Sequence, residues 1–151
     1  MRTTLMLAAL LLVLAGCSST SVDVKLVAVA PVNELEPGES RPVEVRLYQL
    51  KDEARFKAAS VDDLWEKAKE TLAEDLLDEK IGESIFPEKK DANPQGKTIT
   101  LQPLKAETRF IGVLALYKQP ADSGEQKIVV PLDQADDVVF ELTGYHIGLR
   151  K

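Results

Sequence analysis

The sequence predicts a mainly β protein, a sandwich of about seven to eight short strands that carries a small helical insertion. Two observations predict this fold class. Segments in which apolar and polar residues alternate recur along the chain between turn residues, as in half-buried strands. One segment, beginning near residue 60, instead has apolar residues at helical spacing. Residues 17–151 are enough for one domain with a single core.

The N-terminal segment has the pattern of a bacterial lipoprotein signal peptide. A basic start precedes the apolar run Leu5–Ala15, and the run ends in the tetrapeptide Leu14-Ala15-Gly16-Cys17. The run is too short to span a bilayer, which needs about 20 apolar residues. We therefore expect cleavage to remove residues 1–16 and to leave Cys17 acylated at the start of a short tether, residues 17–21.

An ordinary secretory signal followed by an incidental cysteine is the alternative. Cys17 is the only cysteine in the chain, and a lone cysteine in an exported protein requires an explanation, which lipidation supplies. Ser18 follows it, whereas an aspartate there would favour retention at the inner membrane. We therefore expect the protein at the periplasmic face of the outer membrane of a Gram-negative cell, where about two or three acyl chains anchor firmly.

The composition argues against several kinds of partner. The chain has 19 basic and 25 acidic side chains, and once Arg2 leaves with the signal the counts are 18 and 25, a net charge of −7. An acidic protein without a cluster of Lys and Arg repels nucleic acid, so no nucleic-acid partner is expected. With its one thiol acylated, the domain cannot form a disulfide and must rest on core packing.

Two strands and a loop are predicted at the start of the sandwich domain, which spans residues 22–151. Segment 22–29 alternates apolar and polar residues, as does segment 43–50. Between them, the stretch Asn33–Pro42 contains Pro37-Gly38, a pair typical of turns. We interpret the two strands and their loop as one hairpin.

The helical insertion is predicted at about residues 52–82. A short helical turn is expected around Phe56, and Ser60 is a suitable N-cap for a longer helix with acids in its first turn. This helix should end near Ile81-Gly82, where glycine suits a C-cap. Its apolar stripe consists of Val61, Leu64, Trp65, Ala68, Leu72 and Leu76. Trp65 is an exposed partner anchor in one interpretation, but its place on the stripe favours a packing residue.

The remaining strands are predicted from shorter patterns. Residues 83–97 contain prolines, a glycine and many charges, and are interpreted as a loop. Residues 110–117 are apolar on both faces, which predicts a central strand buried on two sides. The chain then turns at residues 118–124. Further strands are expected at residues 98–101, 128–132, 138–142 and 145–149.

No set of residues in the sequence predicts catalysis. His146 is the only histidine and is expected to be solvated, so neither a Ser-His-Asp triad nor a histidine-based metal site is expected. Acidic pairs such as Asp62-Asp63 and Asp136-Asp137 resemble a glycosidase pair only in composition, because adjacent carboxylates on a helix do not face each other. We therefore expect no enzyme, no metal, no small-molecule substrate, and no cofactor beyond the acyl chains on Cys17.

Motifs spread over roughly residues 22–118, most of the mature chain, form a set that occurs in one known family. The motifs are Ala30-Pro31-Val32-Asn33, Pro42-Val43-Glu44-Val45-Arg46-Leu47-Tyr48-Gln49-Leu50-Lys51, Phe56, Leu64 and Thr108-Arg109-Phe110-Ile111-Gly112-Val113. The set resembles the TssJ (VasD/SciN-like) lipoproteins of the type VI secretion system. In the last motif, Phe110 stands where the family usually has a tyrosine.

The resemblance implies a transthyretin-like β-sandwich with a small helical addition, in agreement with the strand pattern. It also implies an anchoring role, in which the protein holds the secretion membrane complex at the outer membrane by binding the periplasmic C-terminal region of the inner-membrane protein TssM. In the family, the loop between the first two strands contributes to this contact. Here that loop consists of Asn33, Glu34, Leu35, Glu36, Pro37, Gly38, Glu39, Ser40 and Arg41. Its three glutamates and one arginine predict a basic surface on the partner.

A different function remains open from the residues alone. The loop is also typical of a solvated hairpin turn, and the alternative function is that of a β-sandwich lipoprotein that binds glycan or assists outer-membrane assembly, which the fold alone does not exclude. A glycan binder should expose aromatic side chains, whereas aromatics make up only 5% of this chain and most lie in core patterns. Accordingly, we interpret Phe110 and Tyr117 as core residues, and Arg46 and Tyr48 as sheet-face residues that hold the strand pair.

Overall fold

The computed structural model describes residues 20–90, 93–118 and 125–150. The predicted signal peptide, Cys17 and the first part of the tether lie outside the described residues. Within those ranges the chain forms nine strands in two sheets, with three short helices between the second and third strands. No helix in the described part of the chain is long and apolar enough to cross a bilayer.

The strands and helices follow one another in a simple order. The strands are β1 (Val22–Val32), β2 (Val43–Leu50), β3 (Leu76–Ile85), β4 (Pro87–Glu88), β5 (Lys97–Leu101), β6 (Phe110–Leu116), β7 (Lys127–Pro131), β8 (Val139–Gly144) and β9 (His146–Leu149). The helices are α1 (Ala54–Ala58), α2 (Val61–Glu66) and α3 (Ala68–Leu72), and 3-10 turns cover Ala73–Asp75 and Leu132–Gln134.

The two sheets have different pairing patterns. In the first sheet, β1 pairs with β8 in parallel, and β8 pairs with β9 antiparallel. The other side of β1 pairs with β5 along its first half and with β4 along its second half. The second sheet has the order β3-β2-β6-β7, and its three pairings are antiparallel. The predicted mainly β sandwich is confirmed, with nine strands in place of about seven to eight.

The predicted hairpin between the first two strands is wrong, because β1 and β2 lie in different sheets. Both strands alternate in sequence because each presents one face to the core between the sheets. The loop 33–42 therefore crosses from one sheet to the other, which lies about 10 Å away, instead of turning back within a sheet. Turn residues predict that the chain reverses, but they do not specify which sheet the next strand joins.

Two apolar clusters stabilise the domain. The larger one fills the space between the sheets and includes Val24 and Leu26 of β1 and Val45 and Leu47 of β2, all at most 1% exposed. The smaller one lies on the outer face of β2 and β6, under the helices. Its buried members are Tyr48, Leu50, Phe56, Leu64, Ala68, Leu72 and Leu114. Strand β6 is thus covered on both faces, which confirms the predicted central strand.

The helical insertion begins as predicted and ends earlier. The Oγ of Ser60 accepts a hydrogen bond from the amide N of Asp63 at 3.0 Å, so the predicted N-cap is confirmed. The helical path is interrupted at Lys67 and ends at Leu72, because Ala73 has a φ of +47°, outside the helical region. A 3-10 turn follows, and the predicted helix end near residue 82 is wrong.

Residues 76–85, predicted as the end of the helix and the start of a loop, form strand β3. This strand pairs with β2 along its whole length, and the pairing outweighs the helical spacing of Leu76. Gly82, with a φ of +79°, lies where the pairing is irregular between Lys80 and Glu83. Glycine therefore serves a β-bulge here and not a helix C-cap.

Lys127 of β7 ties the helical insertion to the second sheet. Its Nζ donates hydrogen bonds to the carbonyl oxygens of Phe56 at 2.8 Å and Lys57 at 2.7 Å, and also to the carbonyl oxygen of Ala59. These carbonyls lie at the C-terminal end of α1, where a positive charge is favoured. Burial lowers the pKa of Lys127, so the hydrogen bonds have to offset a cost of desolvation.

Candidate partner-binding surface

The loop Asn33–Arg41 crosses one end of the sandwich, and its two ends are fastened to each other. The amide N of Arg41 donates to the carbonyl oxygen of Val32 at 3.1 Å. The amide N of Val32 donates to the Oγ of Ser40, also at 3.1 Å. These bonds give the loop a fixed base on two different sheets, from which its tip projects.

Asn33 lies at the base of the loop, 1% exposed, with a φ of +49° that asparagine tolerates better than most residues. Its Nδ2 donates to the carbonyl oxygen of Pro42 at 2.7 Å, and its Oδ1 accepts from the amide N of Lys118 at 2.7 Å. Its own amide N donates to the carbonyl oxygen of Gly144 at 2.7 Å. Asn33 therefore joins segments of both sheets and shapes the surface from below.

The tip of the loop is an ordered turn. Gly38 has a φ of +89°, and its amide N donates to the Oε1 of Glu34 at 3.1 Å. The amide N of Glu39 donates to the carbonyl oxygen of Glu36 at 3.0 Å. The hydroxyl of Tyr145 donates to the carbonyl oxygen of Glu34 at 2.5 Å. The backbone of the tip is thus held in place before any partner binds.

The side chains on the outside of this loop are acidic and apolar. Leu35 is 48% exposed, and Glu36 and Glu39 are exposed. Arg41 lies 3.4 Å from Glu39, but exposed ion pairs of this kind contribute little to stability. With three glutamates and one arginine, the loop has a negative local charge. This arrangement is suited to electrostatic attraction of a basic surface.

A groove of about 670 Å³ opens beside the loop. Its lining consists of Asn33, Arg41, Pro42, Glu44, Ser84, Phe86, Leu116, Tyr117 and Lys118. Phe86 is 68% exposed and lies between β3 and β4. The sequence pattern does not single out Phe86, because the prolines and charges of residues 83–97 predict a loop, whereas β3 extends to residue 85 and β4 follows. The Phe86-Pro87 pair was the available signal, since a residue before proline favours extended backbone.

Arg46 and Tyr48 lie away from this surface, on the face of β2 that the helices cover, and Trp65 belongs to helix α2 above them. The hydroxyl of Tyr48 donates to the carbonyl oxygen of Leu64 at 3.0 Å. The guanidinium of Arg46 lies 3.8 Å from the centroid of the Trp65 ring, and it donates a hydrogen bond to the carbonyl oxygen of Trp65. Trp65 packs against the smaller apolar cluster, which confirms the packing interpretation. Arg46 and Tyr48 are sheet-face residues, as predicted, but they hold the helical insertion and not the pair of β1 and β2, which lie in different sheets.

The remaining residues singled out in the sequence occupy ordinary structural positions. Tyr117 is 5% exposed and belongs to the larger cluster, and Phe110 packs against the smaller one, so their assignment to the core is confirmed. His146 is exposed, and its carbonyl oxygen accepts a hydrogen bond from the Tyr117 hydroxyl at 2.7 Å. In the described ranges, no group of His, Cys, Asp and Glu side chains is arranged to hold a metal ion.

Comparison with known proteins identifies a family. Residues 20–150 match the profile of a family described as type VI secretion lipoprotein, VasD, EvfM, TssJ. The match covers nearly the whole domain, including both strands that flank the loop and the strands that form the groove. No curated protein matches the chain.

Solved structures of similar proteins support the fold. Lip of Serratia marcescens, a membrane-bound component of the type VI secretion system, superimposes with a TM-score of 0.71 at 22% identity, over 87% of this chain and 97% of that one. TssJ1 of Pseudomonas aeruginosa, a type VI secretion lipoprotein, superimposes with a TM-score of 0.70 at 24% identity, over 87% of this chain and 95% of that one. A chain in a structure described as the TssM C-terminal domain from EAEC superimposes with a TM-score of 0.66 at 22% identity, over 87% of this chain and 98% of that one. At these identities the likeness concerns the fold.

Proposed function

The chain belongs to the family of type VI secretion lipoproteins that includes VasD, EvfM and TssJ, and on this premise we propose that it anchors the secretion membrane complex to the outer membrane. In this role, acyl chains on Cys17 hold the protein at the periplasmic face, and the loop Asn33–Arg41 binds the periplasmic C-terminal region of a TssM-like inner-membrane protein. The family consists of structural components of the secretion apparatus and is not a family of enzymes.

The position of the loop relative to the proposed anchor carries the proposal. Strand β1 begins at Val22, five residues after Cys17, and ends at Val32, where the loop begins. A strand rises about 3.3 Å per residue, so its two ends lie roughly 33 Å apart. The loop therefore projects from the end of the sandwich that is remote from the start of the domain. A protein tethered through Cys17 would present this end to the periplasm.

The ordered backbone and the charge of the loop support the same role. A loop that is already held by hydrogen bonds loses little conformational entropy when it binds, and a rigid scaffold below it keeps its side chains in place. Its acidic side chains would attract a basic surface and speed up association. Structures described as a TssM C-terminal domain and as a type VI membrane complex contain chains similar to this one, which supports a TssM-like partner.

A shortened loop tests the proposal. Replacement of residues 35–39 by Gly-Ser removes the tip and retains Asn33, Glu34, Ser40 and Arg41, whose hydrogen bonds fix the base. We expect an unchanged fold and weaker binding to the purified periplasmic fragment of the TssM-like protein, measured by biolayer interferometry. Wild-type affinity of the shortened protein would move the interface elsewhere, for instance to the helical insertion.

Charge reversal tests the electrostatic part separately. Lysine at positions 36 and 39 should slow association with the fragment mainly at low ionic strength, because exposed charges are screened by salt. Glu34 is kept, because its Oε1 holds the amide of Gly38. The matched control reverses Asp133 and Asp137, which are exposed between β7 and β8 and change the net charge equally. Equal slowing by both variants would indicate a general charge effect and would argue against this loop.

A further inference from the structure

Phe86 is unusual among the aromatic side chains of this domain. Tyr48, Phe56 and Phe140 are at most 1% exposed, whereas 68% of Phe86 is exposed. Burial of a phenylalanine side chain is strongly favourable, so an exposed one beside a groove is available as an anchor for another molecule. Other exposed apolar residues of the described chain, such as Ile81 at 59%, are not part of the groove lining.

The backbone on both sides of Phe86 is fixed by the fold. Ile85, which precedes it, is 2% exposed and pairs with Val43 in the second sheet. Pro87, which follows it, pairs with Ala28 in the first sheet. Phe86 thus lies where the chain passes from one sheet to the other, and both neighbours are held by strand pairing. Its position is set before binding, which lowers the entropic cost of using it as an anchor.

The groove is continuous with the loop of the proposed interface. Asn33 and Arg41, the first and last residues of the loop, both line the groove, and Pro42 follows them there. Leu116 supplies a half-buried apolar side chain to the lining. One partner segment could therefore contact the loop and the groove together, without a break in the surface.

We propose that the groove beside Phe86 receives an apolar side chain from the periplasmic region of the inner-membrane partner, in a segment whose neighbouring residues are basic. This inference rests on the proposed function and specifies the chemistry of the partner. Phe86 and Leu116 contact the apolar side chain. The basic neighbours lie against Glu44 in the groove and against the glutamates of the adjacent loop.

The charges around the groove favour this partner over a second copy of the chain. The groove lining holds one acidic residue, Glu44, and two basic ones, Lys118 and Arg41, of which Arg41 is paired with Glu39. The adjacent loop adds Glu34, Glu36 and Glu39, so the surface as a whole is acidic. In a contact between two copies, each copy would bring an acidic loop and a net charge of −7, counted without residues 1–16. Like charges placed opposite each other suppress such a contact.

Substitution of Phe86 tests the inference. Phe86→Ser should weaken binding to the purified periplasmic fragment by about tenfold or more, because a buried aromatic anchor is lost. Phe86→Leu, which keeps an apolar side chain, should retain most of the affinity. Ile81→Ser is the matched control, since Ile81 is also a largely exposed apolar residue and lies away from the groove. Thermal unfolding of each variant establishes that the fold is intact.

The outcomes separate this inference from the proposed function. If wild-type protein does not bind the fragment, both fail. If wild type binds, the shortened loop weakens binding and Phe86→Ser binds like wild type, the proposed function stands and the groove inference is overturned. If Phe86→Ser instead abolishes self-association of the protein alone, seen by analytical ultracentrifugation, a second copy covers the groove and the inference is likewise wrong.

Discussion

At the scale of single residues, Asn33 determines the shape of the candidate surface through two side-chain bonds. Asn33→Ala would leave the carbonyl oxygen of Pro42 and the amide N of Lys118 without these partners. Loss of a partner for a buried polar group costs about 1–3 kcal/mol. We expect the free energy of unfolding, measured by urea denaturation, to fall by about this amount.

A second variant separates backbone strain from lost hydrogen bonds. Asn33→Gly removes the same side-chain bonds but adopts a φ of +49° without a steric cost. If the bonds dominate, the glycine and alanine variants should be destabilised to a similar degree. A free energy of unfolding equal to that of wild type in both variants would contradict the structural role of Asn33.

Tyr48 gives the protein a predictable response to alkaline pH. Burial raises the pKa of Tyr48 to about 12. In the unfolded chain a tyrosine loses its proton near pH 10, so between these values only the folded state retains the proton. The stabilisation that protonated Tyr48 contributes to the folded state is therefore complete below about pH 10 and is lost as the pH rises towards 12. We expect the free energy of unfolding to fall by up to about 1.4 kcal/mol per pH unit in that window.

The variant Tyr48→Phe isolates this contribution. At about pH 8 it should be less stable by about 1 kcal/mol, because the hydrogen bond to the Leu64 carbonyl is lost. Above pH 10 it should lose stability less steeply than wild type, because position 48 no longer titrates. Burial also raises the pKa of Tyr117, which is present in both proteins and does not affect the comparison. The free energy of unfolding of both proteins is measured by urea denaturation at each pH. An equal fall above pH 10 in the two proteins would contradict the titration of Tyr48 as its cause.

Residues that carry the family resemblance are structural ties in the folded domain. The Oε1 of Gln49, which is 4% exposed, accepts hydrogen bonds from the Oγ1 of Thr108 and the amide N of Lys105, both at 2.9 Å. A pattern of motifs was therefore a sound guide to the fold. The groove could not be predicted in this way, because Phe86 belongs to none of the motifs and its exposure depends on a crossing between two sheets.

At the scale of elements, Leu72 determines whether the helical insertion stays packed on the sheet. Leu72 is fully buried in the smaller apolar cluster, at the end of α3. Leu72→Ala should lower the free energy of unfolding by about 2–5 kcal/mol, through lost burial and the cavity that remains. Thermal melts of protein that begins after Cys17 measure the change. A midpoint like that of wild type would mean that the insertion is not part of the cooperative fold.

Sequence patterns predicted the start of this insertion better than its end. A cap depends on neighbouring residues, and Ser60 with Asp63 forms one as expected. The end depends on contacts that are distant in sequence, since Leu76 leaves the helical path to pair with Leu50 of β2. The same limitation explains the wrong hairpin, because pairing between strands is decided by the whole sheet and not by the turn that joins them.

At the scale of the whole molecule, the fold separates the proposed anchor from the candidate surface. The acyl chains on Cys17 would hold the start of β1, and the loop and the groove lie at the other end of that strand. Alternating strands were enough to predict a β-sandwich. The proposal of a partner depended on the family resemblance, because a sandwich scaffold is compatible with many functions.

This separation predicts that anchoring and partner binding can be lost independently. Cys17→Ser removes the acceptor for the acyl chains but precedes β1, so the domain should fold normally. In cells, the variant should lose labelling by palmitate and leave the outer-membrane fraction, either for the soluble periplasm or as unprocessed protein at the inner membrane. Ser18→Asp is the companion variant, which should keep the label and shift the protein towards the inner membrane.

The purified domain separates partner binding from membrane anchoring. Protein that begins after Cys17 should bind the periplasmic fragment with the affinity of the full mature protein, because the proposed binding surface lies about 33 Å from the start of β1. Secretion should nevertheless fail in cells that carry Cys17→Ser, since one chain end must be held in the membrane for the complex to be anchored. If Cys17→Ser still fractionated with the outer membrane and supported secretion, the protein would be held there by its partners, and the lipid anchor would be dispensable.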